Sequence, residues 1–194
     1  MSRVTAAEPD LLGLAELTQT LHQAAGDGSV LVVIDPDLAD GARTYGDLCS
    51  GVHRIDLGAD LLADRARLYG ALTHEIAHHA LGHLTARRPW LRVCQAAAVA
   101  AVVFLLTGYP WPATAAVALA VAAYLVDARQ QRREELAADA HSVALLNAAG
   151  LPGHTIVAAT LAAGPADPWW HRAGGWIGGS HPTMRSRQAA VSGR

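Results

Sequence analysis

The chain has 194 residues and 20.3 kDa, room for one domain and short for two, and its 52% hydrophobic content excludes a disordered protein. About a fifth of it is alanine, all fifteen basic residues are Arg, and a net charge of -2 gives no reason to expect a nucleic-acid partner. Cys49 and Cys94 lie far apart without C-x-x-C spacing, which excludes a disulfide scaffold and a thiolate zinc cluster. Charge is placed unevenly: residues 1–86 hold twelve acids against five Arg, and residues 87–194 hold five acids against ten Arg. The first thirty residues carry no basic-then-apolar signal segment, since Glu8, Pro9, Asp10 and Glu16 interrupt it, so the amino terminus is expected in the cytoplasm.

Residues 9–25 read as an amphipathic helix, with Leu11, Leu14, Leu17 and Leu21 at helical spacing and Gly26 ending it. Ser29–Ile34 is a β-rich run closed by Asp35-Pro36, which predicts a buried strand. Residues 39–51 read as loop, and Val52–Leu57 as a second strand at an edge. A helix follows from Asp64, its N-cap, to about Leu84.

Residues 91–126 have a different composition. Leu91–Leu106 is strongly polar only at Arg92 and Gln95, and Trp111–Val126 has no charge. Gly108–Pro112 separates these arms and predicts a turn. Each arm has about sixteen residues, roughly 24 Å of helix against the roughly 30 Å of a bilayer core. Arg87, Arg88 and Arg92 flank the first arm and Arg129, Arg132 and Arg133 follow the second, with Trp90, Tyr109, Trp111 and Tyr124 near the ends. This pattern fits a membrane hairpin with both ends in the cytoplasm; the alternative is a hairpin buried in a soluble core. Residues 127–149 continue as a polar-faced helix ending at Gly150, Leu151–Ala163 form another, and Gly164–Ser180 read as an irregular loop.

The strongest chemical signal is His74-Glu75-Ile76-Ala77-His78 on the predicted helix. Residues four apart share a helical face, so both imidazoles can reach one zinc ion. Glu75 lies about 100° round the helix, beside the metal, where it can take a proton from a water acidified by the cation. The subclass with a third His six residues after the second is excluded, because Leu81 and Leu84 occupy its glycine and histidine positions. His79 and His83 point round the helix and read as surface or cap-region residues. A third ligand is sought on the helix after the hairpin, where Glu135 and Asp139 share a face and Glu134 turns away. Taken alone, that pair is explained equally well as a surface patch facing Arg132 and Arg133.

Three motifs in order resemble the zinc metallopeptidases that include HtpX and the CaaX prenyl endopeptidase. They are His74–His78, then Glu135-Leu-Ala-Ala-Asp139 after the apolar hairpin, then Ser180-His181-Pro182 with Arg187, and the likeness runs over about residues 45–191. The segment from Gly51 to Leu57, with Leu61-Leu62, also resembles the strand and helix leading into that family's first motif. The resemblance implies a gluzincin-type site with His74, His78 and Glu135 as ligands of one Zn2+, Glu75 as general base and Asp139 behind the ligands. It also implies that His181 and Arg187 act near the active site on bound substrate or on the developing oxyanion. Two features depart from the family: Leu136 replaces the aromatic of the second motif, and no membrane helix precedes His74.

The expected fold is α+β and mostly helical: a zincin-like core with a small sheet, one domain over residues 1–194, and residues 91–126 inserted as a membrane hairpin between the two zinc-binding helices. The expected activity is a membrane-associated zinc metalloendopeptidase at the cytoplasmic membrane, its site facing the cytoplasm. Its partners would be peptide or protein substrates, membrane proteins among them, and the lipid bilayer. Two alternatives stand beside it: a soluble repressor-cleaving metallopeptidase of the ImmA/IrrE kind, and a catalytically silent membrane scaffold.

Overall fold

Seven apolar or half-apolar segments become helices or strands in the order the sequence suggests, and two short segments depart from it. The computed structural model describes residues 11–25, 29–38, 41–46, 52–83, 88–164, 167 and 181–193. Its elements are α1 (Leu11–Ala25), β1 (Ser29–Asp35), β2 (Ala42–Gly46), β3 (Val52–Gly58), α2 (Arg65–Ala80), α3 (Pro89–Leu106), α4 (Pro110–Ala148), α5 (Gly153–Ala163) and α6 (Met184–Val191). The fold is α+β and mostly helical, as expected. The chain divides into two compact units: one comprises residues 1–85, 136–166 and 184–194, the other residues 86–135 and 167–183.

In the first unit the three strands run in the order β1-β3-β2, with β1 parallel and β2 antiparallel to β3. This corrects three expectations. The segment 39–51 is not all loop, because Ala42–Gly46 pairs with β3 from Ala42 opposite Leu57 to Gly46 opposite His53. With that strand in place β3 is the central strand, and Ile55, Asp56 and Leu57 are buried accordingly. β1 is an edge strand, half-buried, with Leu31 exposed.

Helix α2 begins where Asp64 accepts hydrogen bonds from the amides of Ala66 (3.0 Å) and Arg67 (3.2 Å), the N-cap expected from sequence. Its face of Leu68, Leu72, Ile76 and Ala77 enters a core shared with Leu14, Leu17 and Leu21 of α1, Ile55 and Leu57 of β3, and Ile156 and Val157 of α5. Each such large side chain is worth about 1.5–3 kcal/mol by burial. Gly70 lets α5 approach closely: a Cβ there would lie 2.0 Å from the Thr160 hydroxyl oxygen. α2 stops at Ala80, four residues before the expected end, because Gly82 adopts a left-handed conformation (φ 67°) that turns the chain. The side chain of Leu11, the residue Gly26 and the loop 165–180 (Asp167 apart) lie outside the described residues.

In the second unit α3 has 18 residues, and the first turn of α4 begins at Pro110. The prolines expected in the turn thus open a helix, where the missing N–H costs nothing; Thr107–Tyr109 makes the connection instead. α4 is one helix of 39 residues, joining the apolar second arm to the polar segment that carries Glu135 and Asp139. Both α3 and α4 are long and apolar enough to cross a membrane, with 11% and 22% of their apolar windows buried.

Candidate metal centre

α2 presents His74 and His78 one turn apart, and their Nε2 atoms lie 3.1 Å from each other. The rings stand nearly perpendicular, at 84°, with their Nε2 edges meeting. The far edge of each ring is held by another residue. His74 Nδ1 lies 3.1 Å from Asp139 Oδ1, and His78 Nδ1 lies 3.0 Å from His83 Nδ1. With its Nδ1 proton donated to Asp139, His74 turns an Nε2 lone pair toward His78.

Asp139 is 1% exposed. Arg187 of α6 binds it with two parallel donors, Nε to Oδ2 at 2.7 Å and Nη2 to Oδ1 at 2.6 Å. Burial alone would raise the Asp139 carboxyl, but the hydrogen bonds from Arg187 and His74 outweigh it and hold the group below the usual carboxylate range. Asp139 is thus an ionised acceptor behind the His74 imidazole, an arrangement that would fix the tautomer of a metal-binding histidine.

The boundary between the units falls inside α4, between Glu135 and Leu136, so Glu135 is set by the same unbroken helix as Asp139, one turn away. One ligand atom from each of His74, His78 and Glu135 lies within 4.8 Å of the others, close enough to hold one metal ion. Two imidazoles and a carboxylate, with positions left for water or substrate, are the donor set of catalytic zinc sites.

Glu75 follows His74 and accepts a hydrogen bond from the hydroxyl of Thr44 on β2. His181 lies within the second unit, its Nδ1 3.5 Å from Glu135 Oε1 and its side chain 68% exposed. The residues read from sequence therefore fall into three groups: His74, His78, Asp139 and Arg187 form one connected cluster, Glu75 lies beside it, and His181 stands against Glu135.

Two residues were missed. Thr44 carries no sequence signal, since its strand reads as loop. His83 was assigned to the cap region, and so it is, but the signal that returns it to His78 was present in Gly82, a glycine two residues beyond the helix end.

A search of curated proteins and of solved structures found no match to the chain. Against protein families, residues 32–194 match Peptidase family M48, a span that includes β2, β3, the end of β1, and α2 to α6. With the paired histidines, Glu75 and the buried Asp139–Arg187 pair inside that span, the chain belongs to peptidase family M48, and it is a metallopeptidase.

Proposed function

We propose that this protein is a zinc-dependent metalloendopeptidase anchored in the cytoplasmic membrane by α3 and the first half of α4. The observation that carries the peptidase reading is the His74–His78 pair, its two Nε2 atoms 3.1 Å apart and Glu75 alongside. His74, His78 and Glu135 would hold the zinc, which when bound supplies a Lewis acid that acidifies water and polarises a peptide carbonyl. Glu75 accepts the proton of the attacking water and delivers it to the leaving amine. Asp139 keeps His74 in the ligating tautomer, and Arg187 holds Asp139 with two donors while its Nη2 also lies 3.4 Å from His74 Nδ1. His181 is the donor assigned to the negative charge that develops on the peptide oxygen. β2 is an edge strand among the described residues, so its outer side is the place for an extended peptide to add, the role that β3 loses by being central.

The hairpin supports the membrane part of the proposal. Its buried apolar residues are the alanines Ala97, Ala101, Ala113 and Ala123, while Val99, Val102, Leu105, Leu106 and Leu119 are exposed. Outward-facing large side chains over small buried ones suit a lipid solvent. Arg88 and Arg92 at one end and Arg129, Arg132 and Arg133 at the other would face the cytoplasm. Glu135 follows Val126 by nine residues of the same helix, or about 14 Å along its axis. Bonds cleaved there would lie in segments just outside the bilayer, in membrane proteins or chains close to them. Membership of family M48 weighs against the ImmA/IrrE-like alternative.

Glu75→Gln tests the proposal. Zinc content, measured by metal analysis of detergent-purified protein, should stay near one per chain while hydrolysis of unfolded casein falls about 10²-fold or more. Equal activity of the two proteins would remove Glu75 from the mechanism, and no activity in either would support the scaffold alternative.

A further inference from the structure

The two ligand histidines are supported differently. His74 has a buried carboxylate at its Nδ1, and the corresponding edge of His78 meets a third imidazole, that of His83. The turn after α2 delivers it. Leu81 ends the helix, Gly82 takes φ 67°, the Gly82 amide donates to His79 O (2.8 Å) and the His83 amide donates to His78 O (3.0 Å). That pair of backbone bonds folds the chain back over the last helical turn. His83 Nδ1 then lies 3.0 Å from His78 Nδ1, with the rings inclined at 67°.

Two ring nitrogens at this distance need one donor and one acceptor. If His78 ligates through Nε2, its proton sits on Nδ1 and His83 must accept it, carrying its own proton on Nε2. We propose that His83 is a positioning residue for the metal site: it accepts from His78 Nδ1 and fixes the tautomer and ring orientation of that ligand, as Asp139 does for His74. Being neutral, His83 does this without adding charge to the site. The inference rests on the zinc reading above, and the test separates the two.

The purified full chain in detergent would be titrated with zinc against a chromophoric chelator, and with Co2+ to record the visible ligand-field bands. His83→Ala should weaken zinc binding about 10–100-fold, the usual effect of losing a partner behind a metal-bound imidazole, and alter the Co2+ spectrum. His83→Gln, whose amide oxygen can accept, should recover most of the affinity and the spectrum. His83→Lys, equally long but only a donor, should remain as weak as His83→Ala. The turn is made by backbone amides, so melting of the metal-free protein should be the same for all three. Wild-type affinity and spectrum in His83→Ala, or equal loss in the Gln and Lys variants, would overturn the assignment of His83. Absence of zinc binding by the wild type would overturn the zinc reading itself, and this inference with it.

Discussion

The first unit and the hairpin of the second are packed by opposite rules. In the first unit the buried apolar positions are mostly Leu, Ile and Val, and the buried Asp139 carboxylate is paired with Arg187 and His74. In the hairpin alanine takes the buried positions and the large apolar residues face outward. Thirteen of the sixteen exposed large hydrophobic residues among those described belong to the second unit. Such a surface is costly in water and costs nothing in hydrocarbon. One sequence therefore carries two kinds of patterning, and α4 runs from the apolar stretch into the polar one without a break.

The largest expected effect breaks the paired interior of the first unit. Arg187→Met leaves the Asp139 carboxylate, 1% exposed, without its bidentate partner. Removing one member of a buried pair costs about 3–5 kcal/mol, to be read from chemical denaturation of the zinc-free protein. Asp139 also gives this region a pH dependence of known sign. Its folded-state pKa is depressed, so its contribution is fully present above the ordinary carboxylate value and is lost as pH falls through the folded value. The stability gap between wild type and Asp139→Asn should therefore be widest near neutrality and shrink below about pH 4. A gap that stays constant through that range would show that the carboxylate is not held ionised by its neighbours.

The hairpin should respond in the reverse sense. Val102 is 55% exposed and Ala101 is 5% exposed, although they are adjacent in α3. Val102→Arg, in the last third of the helix, should oppose membrane integration by up to about 2.5–3.5 kcal/mol, the cost of a charge at a helix centre on an insertion scale. It should shift the protein from the carbonate-resistant membrane fraction into the extract. Ala101→Leu keeps the helix apolar and should leave fractionation unchanged, while overpacking lowers thermal stability in detergent by about 1–3 kcal/mol. Extraction of the wild type without detergent would assign the outward face to another protein surface and end the membrane reading.

The same contrast explains what the sequence could reveal. His74, Glu75 and His78 are local, fixed by helical spacing, and were legible at once. Asp64 was legible as a cap because capping involves only its neighbours. Glu135, Asp139 and Arg187 needed the order of three motifs, since nothing local joins residues dozens of positions apart. β2 was unreadable because Ala42–Gly46 is five residues with little alternation, and its strand conformation comes from pairing with β3. That omission also made β3 look like an edge. His83 lies in the cap region, as its position suggests, but a straight helix to Leu84 gives it the wrong direction, because Gly82 turns the chain after Ala80.

The smallest expected effect asks how far pairing of polar groups extends toward Glu75, the proposed base. Thr44 sits on β2, opposite Ile55, and its hydroxyl donates to the Glu75 carboxylate. A hydrogen bond to a charged acceptor is worth about 1.5–3 kcal/mol, part of which is recovered by water at this half-buried position. Thr44→Val removes the donor and keeps the shape, so Glu75 gains rotamer freedom. Casein hydrolysis should then show kcat lowered about 10-fold with KM and zinc content unchanged, because the loss concerns the orientation of the base. Thr44→Ser restores the hydroxyl without the methyl and should return most of kcat. A KM effect shared by the Val and Ser variants would place the importance of Thr44 in the strand surface that meets the peptide, and not in its bond to Glu75.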